Sequence, residues 1–307
     1  MKIAVIGAGA MGSLYGGYLS RNNDVTLIDT DAAKVEAVNK NGVLIREKSG
    51  EDVTFTPHAA TSSEGLGEAD LVILFVKSLF SRSALASNKE LFGKDTYVLT
   101  LQNGAGHDDI LREYIAPERI IIGTTQHNAS ILGVGHVNHG GSGLTNIGPL
   151  TGDPARLAPI AENFTSCGLE AVVAGNIQEL IWHKLFTNVS VSALTGVLQM
   201  KMGYMLDDPH AWTLCETLIR EAVAVAEGEG LHFDPETIIA EIRALLVSSH
   251  DGYTSIYADL RDGRRTEVDT ISGAVVRASE RNGVPAPSHK FIVEMVHAME
   301  DRRTYDK

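Results

Sequence analysis

Cysteine is scarce: Cys167 and Cys215 are the only two among 307 residues. They lie far apart and in no motif, which argues against a disulfide framework and for a reducing, cytoplasmic setting. Both read as small core residues. Basic charge is also short. Lys and Arg number 26 against 39 Asp and Glu, a net charge of −13, and no long basic run occurs. Non-specific nucleic-acid binding needs basic surface that displaces counterions, so that class is excluded. A small anionic ligand is not, because a local cationic pocket can sit in an acidic protein. No stretch reaches the ~18 uninterrupted apolar residues of a membrane span. Internal repeats and low-complexity tracts are lacking too. What remains is 44% hydrophobic and 21% charged, the balance of a globular chain long enough for two domains.

The first half alternates strand and helix signals. Runs at 2–7 ("KIAVIG"), 24–29 ("DVTLID"), 70–77 ("DLVILFVK"), 96–104 ("TYVLTLQNG") and 119–130 ("RIIIGTTQHNAS") read as strands. Helical patterns fall at 12–22, 31–42, 106–115 and 154–168. The run at 70–77 is too continuously apolar for a half-exposed strand and suits a parallel sheet covered on both faces. Residues 131–150 read as a hairpin ending the sheet, and 169–175 as a last strand. From 176 the texture changes to helical patterns at 176–198, 211–230, 235–247, 266–282 and 288–300. The expectation is an α/β chain: a Rossmann-type doubly wound parallel sheet over 1–175, then an all-α domain over 176–307.

Met1-Lys2 followed by "IAVIGAGAMG" has the outline of a weak signal peptide. The glycine spacing favours a buried first strand running into a turn instead. Gly7, Ala8, Gly9, Ala10, Met11 and Gly12 form G-x-G-x-x-G between a strand and a helix, the context a dinucleotide fingerprint requires. The first glycine permits the tight turn, the second lets backbone approach a pyrophosphate, and the third lets helix and strand pack closely. The helix N-terminus then offers free N–H groups to phosphate. Asp29 ends the second strand, 17 residues after Gly12. A carboxylate there accepts hydrogen bonds from the adenosine ribose and repels a 2′-phosphate, so the cofactor expected is NAD or NADP, with NAD favoured. Its plain alternative is a helix cap or turn residue. Thr30 follows where an NADP enzyme would profit from Arg, although Lys34 on the next turn is placed to reach a phosphate. Lys77 and Asn103-Gly104 end further strands, where ligands of open α/β sheets collect.

The segment "IWHKLFTNVSVSALTG" (181–196) raises a different question. As an α-helix, it places Lys184, Asn188, Ser192 and Thr195 within about 80° of one another, a single polar stripe on an otherwise apolar cylinder. A lysine snorkelling to solvent is the bland account. It leaves the repeated Asn and Ser unexplained.

Taken together, Gly7 to Gly12, "LQNG" (101–104), "GTTQHNA" (123–129), "WHKLFTN" (182–188) and "SIYADLRDGRRTEVD" (255–269) resemble the ketopantoate (2-dehydropantoate) reductases of pantothenate biosynthesis and the related D-mandelate-type D-2-hydroxyacid dehydrogenases. The resemblance spans essentially the whole chain. It implies an oxidoreductase moving hydride between a nicotinamide and a 2-oxo acid. On matching positions it implies that Lys184 donates the proton, Glu267 sits near lysine and cofactor, and Asn188 and Ser255 hold substrate. It implies Asn103 as shared by nicotinamide and substrate, and Lys77 and Ala129 as cofactor contacts. A homodimer is implied as well. Two positions depart from the family pattern. Ser192 stands where a second asparagine is usual, and Met202 where another polar residue is. A less polar distal pocket is the expectation, and with it a bulkier or more hydrophobic 2-oxo acid.

Three rivals are weighed against this reading. A non-catalytic dinucleotide-binding redox sensor would keep Gly7 to Gly12 and Asp29 but need no Lys184–Glu267 pair. Sugar-phosphate and glycerol-phosphate dehydrogenases should carry more cations than the one lysine of "HKLFTN". A zinc site from His127, His136 and His139 is disfavoured, since strand alternation sends His136 and His139 to opposite faces. No metal is expected.

Overall fold

Every residue of the run Leu71–Leu74 is buried, as are Ile3 to Ile6 and Ile120 to Gly123. Such runs have no solvent face to alternate with, and they form the middle of a sheet covered on both sides. The computed structural model describes residues 1–305. Its strands are β1 (Lys2–Ile6), β2 (Asp24–Ile28), β3 (Val43–Arg46), β4 (Asp52–Phe55), β5 (His58–Ala60), β6 (Leu71–Leu74), β7 (Tyr97–Thr100), β8 (Ile120–Thr125), β9 (Asn128–Gly133), β10 (His136–Gly141), β11 (Thr145–Pro149) and β12 (Ala171–Val173). The main sheet runs β12-β11-β8-β7-β6-β1-β2-β5. Its pairs are parallel except β8 with β11. Strand order reverses between β1 and β6, the switch point of a doubly wound sheet. Register puts Ile6 beside both Ile28 and Leu74, so Gly7, Asp29 and Phe75 leave the sheet at one edge.

The segment 131–150 departs from expectation. It does not simply end the main sheet. β9 and β10 pair antiparallel, and β10 joins β3 and β4 in a separate sheet of order β4-β3-β10-β9. Only β11 returns to the main sheet. The helix Ala10–Leu19 packs against β1 and β2 and also against β3, β4, β9 and β10. That explains why Gly12 through Leu19 are all buried. Tyr15 on this helix donates its hydroxyl to Thr125 Oγ1 at 2.7 Å and lies 2.7 Å from Thr145 Oγ1, and burial pushes its pKa up to about 12. The signal at 106–115 yields only the short helix His107–Leu111.

The three histidines do not converge. His127 Nδ1 lies 3.0 Å from His139 Nε2, and His139 Nδ1 lies 3.1 Å from Glu47 Oε2, while His136 faces Asp52 at 3.3 Å. No three-residue metal-ligand cluster occurs among the described residues. His127 is buried, and desolvation, aided by the His139 charge, holds its pKa down at about 4. The unfolded chain binds this proton below about 6.5, whereas the folded chain binds it only near 4. The stability that neutral His127 confers is therefore complete above 6.5 and drains as pH falls toward 4. We expect a loss of about 1–2 kcal/mol across that window. His127→Phe should flatten that part of the profile in urea titrations at pH 7, 5.5 and 4.5. An unchanged difference between pH 7 and 4.5 would assign it to other groups.

Two compact units emerge: Met1–Gln102 with His107–Ile177, and Asn103–Gly106 with the chain from Gln178 onward. The turn Asn103–Gly106 thus groups with the helices rather than with the sheet. The helical unit comprises Gln178–Thr187 of the helix Ile177–Thr187, followed by Ala193–Leu198, Tyr204–Asp207, Pro209–Gly228, Pro235–Ser248, Ser255–Asp262, Ser272–Asn282 and Pro287–Tyr305. Asp208 and Asp234 each cap a helix that opens on proline, accepting from His210 and Ala211 N, and from Thr237 N. Its core gathers Phe186, Val189, Cys215, Ile219, Ala222, Val225 and Val275. Cys167 and Cys215 are both buried and free. Trp182 is buried and packs on Phe186, ring centroids 6.2 Å apart. Among the described residues, no helix is long and apolar enough to cross a membrane.

Candidate functional site

The sheet unit holds a cavity of about 600 Å³ at the carboxyl ends of β1, β2 and β6. Gly7, at φ +101°, turns the chain out of β1; a Cβ there would fall 2.8 Å from Val76 N. A Cβ on Gly12 would fall 1.8 Å from Gly7 O, so helix and strand could not close. Gly9 is different. A Cβ on it would meet no protein atom within 4 Å, and it lines the cavity. Gly9 is also the N-cap of the helix Ala10–Leu19 and provides no side-chain cap, leaving amide groups to a ligand. These features fit the pyrophosphate of a dinucleotide.

Of the sequence-predicted cofactor residues, Gly7, Gly9, Asp29, Thr30 and Lys77 line this cavity, as does Lys34. Ala8, Ala10, Met11 and Gly12 build the loop and helix start without lining it, and Ala129 lies on β9 in the smaller sheet. Asp29 is tightly held. Its Oδ2 accepts from Ala8 N at 3.0 Å and Lys34 Nζ at 2.7 Å, and its Oδ1 accepts from Asp31 N at 3.0 Å. The cap of the next helix is Asp31, not Asp29. Sequence reasoning missed Phe75, Val76, Phe80, Ser83, Ser87 and Asn88 as cavity wall. Phe75 and Val76 had position alone as a signal, at the end of the apolar run 70–77; the others, on and beside the short helix Ser81–Ser87, had none.

In the helical unit the expected helix over 176–198 is interrupted. An α-helix, Ile177–Thr187, passes into a π-helical turn, Asn188–Ser192, before Ala193–Leu198 resumes. Ser190 Oγ donates to Phe186 O at 2.6 Å and Thr195 Oγ1 to Val191 O at 2.8 Å. These hydroxyls take carbonyls that the regular ladder would use, which suits the wider turn. The straight polar stripe therefore does not run as expected. Thr195 is fully buried and also lies 2.8 Å from Thr254 Oγ1, a packing role. Asn188 is half-buried one turn after Lys184, and Ser192 is buried.

Lys184 Nζ donates to Asn103 Oδ1 at 3.2 Å. Burial lowers its pKa below lysine's ordinary value of 10.5, and the charge of Glu267 raises it in opposition. Glu267 is half-buried in a turn at 266–271, not in a helix as the pattern at 266–282 suggested; the helix starts only at Ser272. Gly104 sits at φ +97° against Thr270, and a Cβ on it would lie 2.0 Å from Thr270 O. Three residues distant in sequence, Lys184, Asn103 and Glu267, thus meet in one unit. Ser255 is exposed as the first residue of a separate helix, Ser255–Asp262, that sequence reading did not single out as helical. That helix packs on Ala193–Leu198 and the π turn.

Two family models cover the chain: ketopantoate reductase PanE/ApbA over residues 3–152, and the C-terminal part of the same family over 176–300. A Halobacterium salinarum protein named 2-dehydropantoate 2-reductase is 32% identical over 299 residues, 96% of this chain and 98% of its own. A Lactococcus lactis protein of the same name is 32% identical over 308 residues, 98% of each. A solved D-mandelate dehydrogenase with NADH and anilino(oxo)acetate superposes with a TM-score of 0.90 at 32% identity, covering 98% of this chain and 99% of that one. A ketopantoate reductase structure from Ralstonia eutropha JMP134 has a TM-score of 0.89 at 29% identity, covering 99% and 100%. The chain belongs to the ketopantoate reductase family, oxidoreductases of the 2-dehydropantoate 2-reductase type.

Proposed function

We propose that the protein reduces a 2-oxo acid to a 2-hydroxy acid with a nicotinamide cofactor, ketopantoate to pantoate being the reference reaction. The observation that carries this reading is the half-buried Lys184 ammonium, held by Asn103 and opposed in charge by Glu267. Residues 1–175 are assigned to the dinucleotide and 176–307 to the substrate, and the protein is taken as a cytoplasmic homodimer, the scarce cysteines supporting the first and the family resemblance the second. Gly7 to Gly12 supply the pyrophosphate loop, Asp29 and Thr30 face the adenosine ribose, and Lys77 and Ala129 are further cofactor contacts.

When bound, the reduced nicotinamide supplies hydride to the C2 carbonyl carbon. Negative charge then builds on the carbonyl oxygen. Lys184 stabilises that charge and delivers the proton that completes the hydroxyl. Glu267 keeps the desolvated ammonium protonated, because a carboxylate neighbour opposes the effect of burial. Asn103 fixes the amine through its side-chain oxygen. Asn188, Ser192 and Ser255 are assigned to the substrate, with Ser255 on its carboxylate.

A second reading is favoured by one feature. Ser192 and Met202 replace the polar residues that grip a hydroxylated substrate, and the D-mandelate dehydrogenase neighbour carries an aromatic 2-oxo acid analogue. Polar pockets reject partners lacking their hydroxyl strongly, whereas apolar ones are permissive. On this reading the substrate is a bulkier, more apolar 2-oxo acid. NADH and NADPH oxidation against ketopantoate, phenylglyoxylate and branched 2-oxo acids decides between them. A kcat/KM for phenylglyoxylate within about tenfold of ketopantoate, or above it, supports the apolar pocket. A preference for ketopantoate of about a hundredfold ends that reading, and inertness toward every 2-oxo acid ends both.

A further inference from the structure

We infer that Thr270 is a positioning residue for Lys184, the joint that holds Asn103 and Glu267 in a fixed relation to each other. The inference rests on reading Lys184 as the proton donor. Thr270 is buried. Its hydroxyl reaches two carbonyls, Asn103 O at 3.3 Å and Glu267 O at 3.2 Å. Its own carbonyl accepts from Ala105 N at 2.8 Å, and its amide donates to Glu267 O at 3.1 Å. One residue therefore ties the turn bearing Asn103 to the turn bearing Glu267. Gly104 tightens the joint, since only a residue without Cβ can lie against the Thr270 carbonyl at this φ. Asn103 and Glu267 act on Lys184 from these two turns, one by hydrogen bond and one by charge. Thr270 makes and breaks no bond in this scheme. Its part is to keep both partners where a proton transfer needs them, and displacements near 1 Å in such groups cost up to about a hundredfold in rate.

The test compares Thr270→Val, which keeps the shape and loses the hydroxyl, with Thr270→Ser, which keeps the donor. Steady-state constants are measured with NADH and the best 2-oxo acid, alongside circular dichroism. Thr270→Val should lose about tenfold in kcat with KM for NADH little changed, and Thr270→Ser should stay within about threefold of the parent. Gly104→Ala displaces the same turn without touching the hydroxyl and should give the same kcat loss, which covers the case of an unfolded valine variant. Equal kcat values for parent, Thr270→Val and Gly104→Ala overturn the inference, as does a loss that Thr270→Ser shares in full. Lys184→Met is run in parallel. If it retains kcat, the assignment of the proton donor falls; if it is inactive while Thr270→Val is not impaired, only the role of Thr270 falls.

Discussion

Lys184→Met is expected to lower kcat by about 10³–10⁴-fold while leaving NADH binding within about threefold of the parent. The two contributions lost are the proton and the cation that stabilises the developing alkoxide. Methionine fills the methylene volume of the lysine stem, so the helix Ile177–Thr187 should keep the core packing of its Trp182, Leu185 and Phe186. The pH profile sharpens the test. An acid catalyst works only while protonated, so the alkaline limb of kcat reports Lys184. Burial places that limb below lysine's ordinary 10.5, with Glu267 pulling it back upward. Glu267→Gln removes the upward pull, so the alkaline limb should move to lower pH. A full-activity Lys184→Met enzyme would return the protein to the class of dinucleotide-binding sensors or name another acid. An alkaline limb that stays in place in Glu267→Gln would show that Glu267 does not act on the lysine.

Much of this was legible in the residues. The apolar runs at 2–7 and 70–77 and the glycine spacing between them define the switch point, because parallel strands covered on both faces leave a one-dimensional mark. Asp208-Pro209 and Asp234-Pro235 mark helix starts for a local reason, a cap followed by a residue preset in φ. The strands β3 and β4 left no such mark. Each has four residues, two in β3 and three in β4 only partly buried or exposed, around the polar loop "EKSGED". The π turn at Asn188–Ser192 was illegible for another reason. It depends on which carbonyl the Ser190 hydroxyl captures, and side-chain periodicity does not encode that choice. Lys184 and Asn103 stand 81 residues apart, and the turn at Gly104 that groups Asn103 with the helices is a tertiary contact. Kinship pointed to both residues. The reason they belong together, the Thr270 carbonyl against Gly104, appears only in three dimensions.

Coenzyme choice should turn on Asp29 and Lys34 acting against each other. Asp29 faces the cavity with three donors on its carboxylate, one of them the Lys34 ammonium at 2.7 Å, both side chains mostly shielded from solvent. A carboxylate there accepts the ribose hydroxyls of NADH and repels the 2′-phosphate of NADPH. At about 5 Å and an effective dielectric near 20, one unit charge is worth about 3 kcal/mol before salt screening, enough for a tenfold to hundredfold preference. Lys34 tempers the repulsion by offsetting the carboxylate. The parent should therefore prefer NADH by about 10–100-fold in kcat/KM. Lys34→Ala exposes Asp29 and should widen that preference by about tenfold. Asp29→Ala releases Lys34 to face the phosphate and should narrow or invert it. In the double variant the two effects should fail to add, because each residue acts through the other. Competition by 2′,5′-ADP and 5′-AMP against NADH binding separates the adenosine end from catalysis. If Asp29→Ala leaves the ratio of their affinities as in the parent, the carboxylate at the end of β2 does not read the ribose, and its bonds to Ala8 and Asp31 are those of a turn residue alone.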